Sequence, residues 1–315
     1  MPKIYPIGGV KGGVGKSFIT ASLGALFANR GKKVVLIDLD LGASNLHTLL
    51  GIKSPQNGLD SFLDKTVKKL ERVAFPTNIP NLFFINSLHC SMEIANLFYV
   101  HKQKIINAIR NLPFDYILLD LGPGTNFNTL DFFLISNEGI LVCTPEPTAI
   151  ENSFRFIKTV YFRKLKQVIK RHAFDSAIKS TSINSNNPVF KPPDIIEIIL
   201  KYYPDKEKIL RKKLSEFKIK FIFNQFRQNL DSRLGDQFET ICNRHFYSHF
   251  QFLGNVSHDW RVYDSVLSRK LYVNKYPYTQ PSIDLQKIAD KITNKRQSAS
   301  LISPKGFHNN GSEPF

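Results

Sequence analysis

Ten residues, Gly8 to Ser17, read GGVKGGVGKS, and no other stretch limits so strictly what the chain can fold into. An apolar run, KIYPI at 3–7, precedes them, and SFITASLGALFA follows with helical spacing. A glycine-rich turn from strand to helix aims backbone N–H groups inward, backed by the helix N-terminus, and so can cradle phosphate. Gly12, Gly13 and Gly15 have no Cβ, which lets the chain turn tightly and lets phosphate approach the backbone. Lys16 then brings positive charge to the β- and γ-phosphates, while Ser17 opens the helix and offers its hydroxyl to Mg2+. The strict pattern G-x-x-x-x-G-K-[ST] asks for glycine where this chain has Val10, and a second lysine, Lys11, stands five residues ahead of Lys16.

Strand and helix patterns alternate through most of the remaining sequence. Apolar β-rich runs occupy 3–7, 33–38 (KVVLID), 82–86 (LFFIN), 116–120 (YILLD), 139–144 (GILVCT), 220–224 (KFIFN) and 250–256 (FQFLGNV). Several are apolar at consecutive positions, as strands buried on both faces must be. Helical spacing fills the intervals, for example at 17–29 and 101–111. The alternation predicts a doubly wound α/β domain, a mostly parallel sheet flanked by helices. Pro6 is a misfit in the first strand because it removes a ladder donor. Residues 171–215, with the polar STSINSNNPVFKPP and then basic helical sequence, read as an insertion elaborating the core. Residues 296–315 have the Pro, Gly and polar composition of a disordered tail. The expected organisation is therefore one domain at 1–295, its basic helical insertion at about 171–215, and a tail.

The net charge of +17 is unevenly placed. Residues 154–220 hold 17 basic and 6 acidic side chains, against 14 and 12 in residues 1–153. A polyanionic partner would be sought in that middle segment. There Phe154, Ile157, Tyr161, Leu165 and Val168 share one helical face, and Lys158, Arg163, Lys164, Lys166, Lys170 and Arg171 crowd the remainder. Cys90, Cys143 and Cys242 are far apart with no C-x-x-C pairing, which argues against a zinc site, an iron–sulfur cluster or a disulfide framework. Cys143, in an apolar run, is expected in the core. No apolar run reaches the ~18–20 residues of a membrane span. A strand beginning at Lys3 leaves no room for a secretory or transit segment, so the cytoplasm is the expected compartment.

The sequence K-G-G-V-G-K-S at 11–17 resembles the deviant Walker A loop of the MinD/ParA family of ATPases, in which the position before the first lysine varies. The resemblance implies a P-loop NTPase fold, ATP with Mg2+ as cofactors, and slow, partner-stimulated ATP hydrolysis. It makes Lys11 the signature lysine, reaching across an ATP-bound homodimer to the partner's phosphates, as an arginine finger acts in trans. Lys11, Gly12, Gly13, Val14, Gly15, Lys16, Ser17 and Phe18 would together hold the nucleotide. VVLIDLDLGASNLHTLLG (34–51) looks like the family's switch I: Asp40 matches the residue that orients or deprotonates the attacking water, Asp38 supports the metal shell, and Asn45 matches a position near nucleotide or dimer partner. DYILLDLGPG (115–124) resembles Walker B and switch II, with Asp120 on Mg2+ through water and the Gly124 amide close to the γ-phosphate. Lys11, Lys16 and Asp40 are then the catalytic set, and Ser17, Asp38 and Asp120 the metal set.

Farther on, TPEPTAIENSFRFIK (144–158) resembles the next segment of the MinD-like branch. Thr148 and Glu151 there have capping-box spacing, which would simply start a helix. Asn224 in FIFNQF stands where the family often places an asparagine on adenine. LGNVSHDWRVYDSVLSRK (253–270) resembles the closing strand and loop, but the usual Ile-Pro is Val256-Ser257. The resemblance covers about 1–160 and 218–295. It implies an ATP-driven switch that places or regulates a cellular structure, closest to the MinD and FlhG type, with an activating partner protein. A DNA-partitioning ATPase of the ParA type is the alternative. The basic 154–220 segment could meet either a membrane surface or DNA phosphates. Metal-cluster carriers share the fold, but the missing paired cysteines count against that reading. Leu285, Ile288, Ala289 and Ile292 have amphipathic spacing and are read as the last packing helix of the domain rather than as a membrane anchor.

Overall fold

All seven apolar runs form strands, and residues from both ends of the chain enter one sheet. The computed structural model describes residues 1–53, 57–87, 99–169, 196–197, 199–201 and 203–293. In chain order the strands are β1 (Lys3–Gly8), β2 (Val34–Leu39), β3 (Phe75–Pro76), β4 (Leu82–Ile85), β5 (Tyr116–Leu121), β6 (Glu138–Cys143), β7 (Lys218–Phe226) and β8 (His249–Ser257). Their spatial order is β3-β4-β2-β5-β1-β6-β7-β8. Every neighbouring pair is parallel except β3 with β4. β3 is two residues long, too short to leave a periodic signal, and its Pro76 is tolerated because it lies on the sheet edge. Pro6, in a central strand, keeps full register with Leu119 of β5, whereas the ladder to β6 begins only at Ile7.

Helices cover both faces: α1 (Lys16–Asn29), α2 (Leu46–Leu49), α3 (Leu59–Leu63), α4 (Tyr99–Arg110), α5 (Phe127–Phe133), α6 (Pro147–Val168), α7 (Glu207–Ser215), α8 (Leu234–His245), α9 (Arg261–Leu267), α10 (Tyr272–Lys275) and α11 (Gln280–Thr293). Successive strand residues enter different cores, as a period of two requires. Val35, Ile37 and Leu39 of β2 belong to one core cluster with residues of α4, α5, α6 and α8, while Val34 and Leu36 belong to the other with residues of α1, α10 and α11. The long apolar α1 is buried on nearly every side. Its Gly24 lets the helix lie close on the sheet, since a Cβ there would come within 2.5 Å of Leu36.

Leu285, Ile288, Ala289 and Ile292 of α11 are buried in the α1 core, so this stripe is internal. Among the described residues no helix is long and apolar enough to cross a membrane. Cys143 is buried in the core as expected, and Cys242 is buried with it. The described end of the insertion, α7, tucks Leu210 and Leu214 into the α6 side. Residues 171–195 of the insertion, the 296–315 tail, Cys90, Lys170 and Arg171 lie outside the described residues.

Two local expectations are corrected. The 147–168 helix does not begin with a capping box at Thr148. Its N-cap is Glu146, followed by Pro147, whose fixed φ and missing donor suit the first helical position. Glu151 instead pairs with Arg155 one turn on, at 2.5 Å. The basic side of this helix is also less available than its composition suggests. Lys164 is buried and donates to Asn137 at 3.0 Å, and Arg163 grips Asp131 through Nε and Nη2 at 2.8 and 2.9 Å. On β7, Lys220 pairs with Glu138 at 2.7 Å.

Candidate functional site

The loop between β1 and α1 lies at the C-terminal edge of the parallel sheet, where open α/β sheets bind ligands. Gly13 and Gly15 take left-handed φ values of 80° and 91°. At Gly15 a side chain would also strike Asn224 Nδ2, 2.1 Å from an added Cβ. At Gly12 and Gly13 an added Cβ would meet nothing within 4 Å, so these backbone atoms front open space. The end of β7 braces the loop from outside. Asn224 Nδ2 donates to the Val14 carbonyl at 2.9 Å, and Gln225 Nε2 to the Gly13 carbonyl at 2.8 Å. Val14 and Phe18 are buried in the α1 core, and the Phe18 ring meets Tyr272 edge-on at 5.5 Å. They contribute anchoring and backbone, with no side-chain contact to offer a ligand's phosphates.

The two lysines of the loop behave differently. Lys16 is buried, and its Nζ donates across the loop to the Lys11 carbonyl at 3.4 Å. Burial pulls its pKa down while Asp120 and Asp40 push it back up. Lys11 is exposed, and its Nζ reaches Thr148 Oγ1 of α6 at 3.5 Å rather than turning into its own cradle. Thr148, read from sequence only as a helix starter, is thus a neighbour of the loop; no sequence signal distinguishes the two roles.

Asp38 and Asp120 end adjacent strands and stand directly in register. Both are buried. Asp38 accepts from Ser44 Oγ at 2.7 Å and from the N–H groups of Asp40 and Leu46 at 3.0 and 3.2 Å. Asp120 accepts from Thr20 Oγ1 at 3.4 Å and from the Ser17 hydroxyl. Burial raises both pKa values, to about 6 for Asp38, where the Asp40 charge adds to it, and to about 8 for Asp120, where the Asp38 and Asp40 charges add to it. Two buried carboxyls held this way, with the Ser17 hydroxyl beside one of them, form a donor set that a small divalent cation suits. Among the described residues no cluster of three or more carboxylate, histidine or cysteine ligands occurs.

Asp40 lies on the rim beside the same group, its Oδ1 3.0 Å from where a Cβ on Gly122 would stand. Gly124 has φ 88° and its N–H donates to the Gly9 carbonyl at 3.3 Å, so the switch II amide closes on the loop itself. Asn45 stands exposed before α2 with its amide on the Ala43 carbonyl. The structure thus gathers Lys16, Ser17, Asp38, Asp40 and Asp120 in one place, with Lys11 and Gly124 at its edge and Asn45 outside it.

A cavity of about 260 Å3 continues from the loop, lined by Gly13, Gly15 and Phe18 on one side and by Asn224, Gln225 and residues 257–260, 262 and 263 on the other. The loop carbonyls engage the amide nitrogens of Asn224 and Gln225, which leaves the amide oxygens as acceptors. Ser257 stands here with a structural reason: its N–H and Oγ both donate to Asp284 Oδ2, at 3.0 and 2.7 Å. Proline could make neither bond. Sequence reasoning named Phe18 but missed Gln225, Trp260 and Tyr263. They come from the end of β7 and the start of α9, more than two hundred residues from the loop, and no short pattern marks them.

Residues 7–272 match the family described as the CobQ/CobB/MinD/ParA nucleotide binding domain. The septum site-determining protein MinD of Synechocystis sp. is 33% identical over 162 residues, 50% of this chain and 59% of that protein. The flagellum site-determining protein YlxH of Helicobacter pylori is 30% identical over 164 residues, 50% of this chain and 53% of that protein. The matched stretches thus span little more than half the length of these relatives. The septum site-determining protein MinD of Pyrococcus horikoshii, solved in complex with Mg-ADP, is similar in fold with a TM-score of 0.62 at 19% identity, over 93% of this chain and 96% of that one. With a matched region that runs from β1 to α10 and a two-lysine loop at its start, the chain belongs to the MinD/ParA family of P-loop nucleotide-binding proteins.

Proposed function

We propose that this chain binds ATP with Mg2+, closes into a homodimer around it, and hydrolyses it slowly to reopen. The observation that carries the reading is the division between the two lysines: Lys16 is buried in its own cradle, while Lys11 is free of that cradle and exposed. Lys16 and the amides of residues 12–17 hold the β- and γ-phosphates, and Lys11 supplies charge to the phosphates of a second protomer. Ser17 and Asp120, with Asp38 behind, hold Mg2+, which when bound offsets negative charge on the phosphate oxygens. Asp40, on the rim, orients a water for in-line attack. The Gly124 amide exchanges the Gly9 carbonyl for the γ-phosphate, so the closed state persists only while that phosphate is present. Asn224 accepts from the amino group of adenine.

The similarity to septum- and flagellum-site-determining proteins supports a spatial regulator of the MinD/FlhG type, within one domain at 1–295, cytoplasmic or peripheral on a membrane. An activating partner protein would speed its turnover. The +11 excess over 154–220 also suits the alternative, a ParA-like switch that grips DNA non-specifically, while docking on anionic membrane would belong to the MinD-like role. ATP hydrolysis measured with and without Mg2+ tests the enzyme. ATP-dependent binding to DNA across a salt titration, beside binding to anionic vesicles, separates the surfaces. A steep loss of DNA affinity with salt supports partition, and vesicle binding without DNA binding supports the MinD-like role. A wild-type chain that binds no ATP contradicts the whole reading.

A further inference from the structure

The cavity beside the loop carries two aromatic rings that no step above uses. Trp260 and Tyr263 line it and are 74% and 71% exposed. Three residues apart at the start of α9, they share one side of that helix. The backbone on either side of Trp260 is held firmly. The Asp259 carboxylate accepts from the Arg261 N–H at 2.8 Å and from its guanidinium Nε and Nη2 at 2.9 and 2.6 Å. That guanidinium also lies over the Tyr276 ring, 5.6 Å from its centroid. A fixed backbone thus presents a largely uncovered indole to a cavity that Gly13, Gly15 and Phe18 also line. An added Cβ on Gly13 would meet nothing within 4 Å, which leaves open space beside that part of the loop.

We infer that Trp260, with Tyr263 beside it, is an aromatic rim that covers one face of the purine ring of the bound nucleotide. The inference rests on the nucleotide reading above and adds the source of base affinity. Asn224 and Gln225 present acceptors to the edge of the ring, and the indole stacks on its face. Stacking of a base on an aromatic side chain is strong and tolerant of which base is present. The rim therefore supplies affinity, and the amide oxygens supply the preference for an amino group over a carbonyl.

The test uses the full chain with Mg2+ and ADP, so that dimer closure does not enter. Trp260 is the single tryptophan, and its emission reports on this position alone. ADP is expected to quench or shift that emission, whereas inorganic tripolyphosphate, which reaches the loop and not the cavity, leaves it unchanged. By calorimetry, Trp260→Ala should weaken ADP about 5- to 100-fold, Trp260→Phe far less, and neither should alter tripolyphosphate binding. Wild-type ADP affinity in Trp260→Ala overturns the rim while leaving the nucleotide site intact. An equal loss for tripolyphosphate also overturns it, because the residue would then be supporting the loop. A wild-type chain that binds neither ligand removes the nucleotide reading and the rim together.

Discussion

The phosphate end and the base end of the site are built on opposite terms. At the phosphate end the loop is braced from behind by two side-chain amides, Lys16 is buried, and the carboxyls of Asp38 and Asp120 are locked in strand register. At the base end an open cavity is edged by largely exposed rings. The first is held by its own fold, at the cost of two carboxyls taken out of water. The second has no such internal tension, and its rings are covered only when a ligand enters. On the proposed reading, recognition of phosphate is preorganised, whereas recognition of the base completes on binding.

The largest expected effect breaks the phosphate end alone. Lys16→Ala should lower ATP hydrolysis by about 100-fold or more, measured as phosphate release at saturating ATP. A mutant retaining full turnover would remove Lys16 from the chemistry. Next comes Asp120→Asn, which should weaken Mg2+-dependent ADP binding by about 10- to 100-fold while relieving the ligand-free protein. The sign follows from linkage. Both carboxyl pKa values are raised by folding, so the stability they contribute is complete below about 4 and is lost as pH rises through about 6 for Asp38 and about 8 for Asp120. Melting followed by circular dichroism should show the ligand-free wild type losing stability from pH 5 to 8.5. Asp120→Asn should lose less, ending at least about 2 °C higher at the alkaline end. Equal pH slopes would show that the pair carries no such tension.

Gln225→Ala sharpens the comparison, because Gln225 touches both ends. Loss of its bond to the Gly13 carbonyl should weaken ADP and tripolyphosphate alike, by about 3- to 10-fold. An effect on ADP alone would confine Gln225 to the base. The smallest effect on binding belongs to Ser257→Pro. It removes two donors to Asp284 and should lower stability by about 1–3 kcal/mol in urea titration, with little change in tripolyphosphate affinity. Unchanged stability would mean that the Asp284 bonds are not what fixes serine there.

The same contrast explains what could be read from the sequence. The loop with Lys16 and Ser17 lies in one short segment whose strand–turn–helix grammar is local, and the resemblance to a known family pointed to Lys11, Asp38, Asp40 and Asp120. The consecutive apolar residues of β2 and β5 foretold burial on both faces. What stayed hidden depends on long-range assembly. Gln225 meets Gly13 from 212 residues away, and Trp260 gains its meaning only from the cavity. Thr148 was misread because Pro147, favoured at the first helical position, displaced the expected cap by two residues. The basic face of α6 was overcounted because composition cannot show that Arg163 and Lys164 are spent on Asp131 and Asn137.

The central claim is that an exposed Lys11 completes a second protomer's phosphate site. Its most direct test is solution mass by light scattering on Asp40→Ala, chosen because the proposed role of Asp40 predicts slowed hydrolysis, with ADP and then with ATP and Mg2+. The account predicts a monomer with ADP, a dimer with ATP, and a monomer with ATP once Lys11→Ala is added, while ADP affinity stays unchanged. An ATP-bound Asp40→Ala chain that remains a monomer, or a dimer that forms equally well without the Lys11 ammonium, would contradict it.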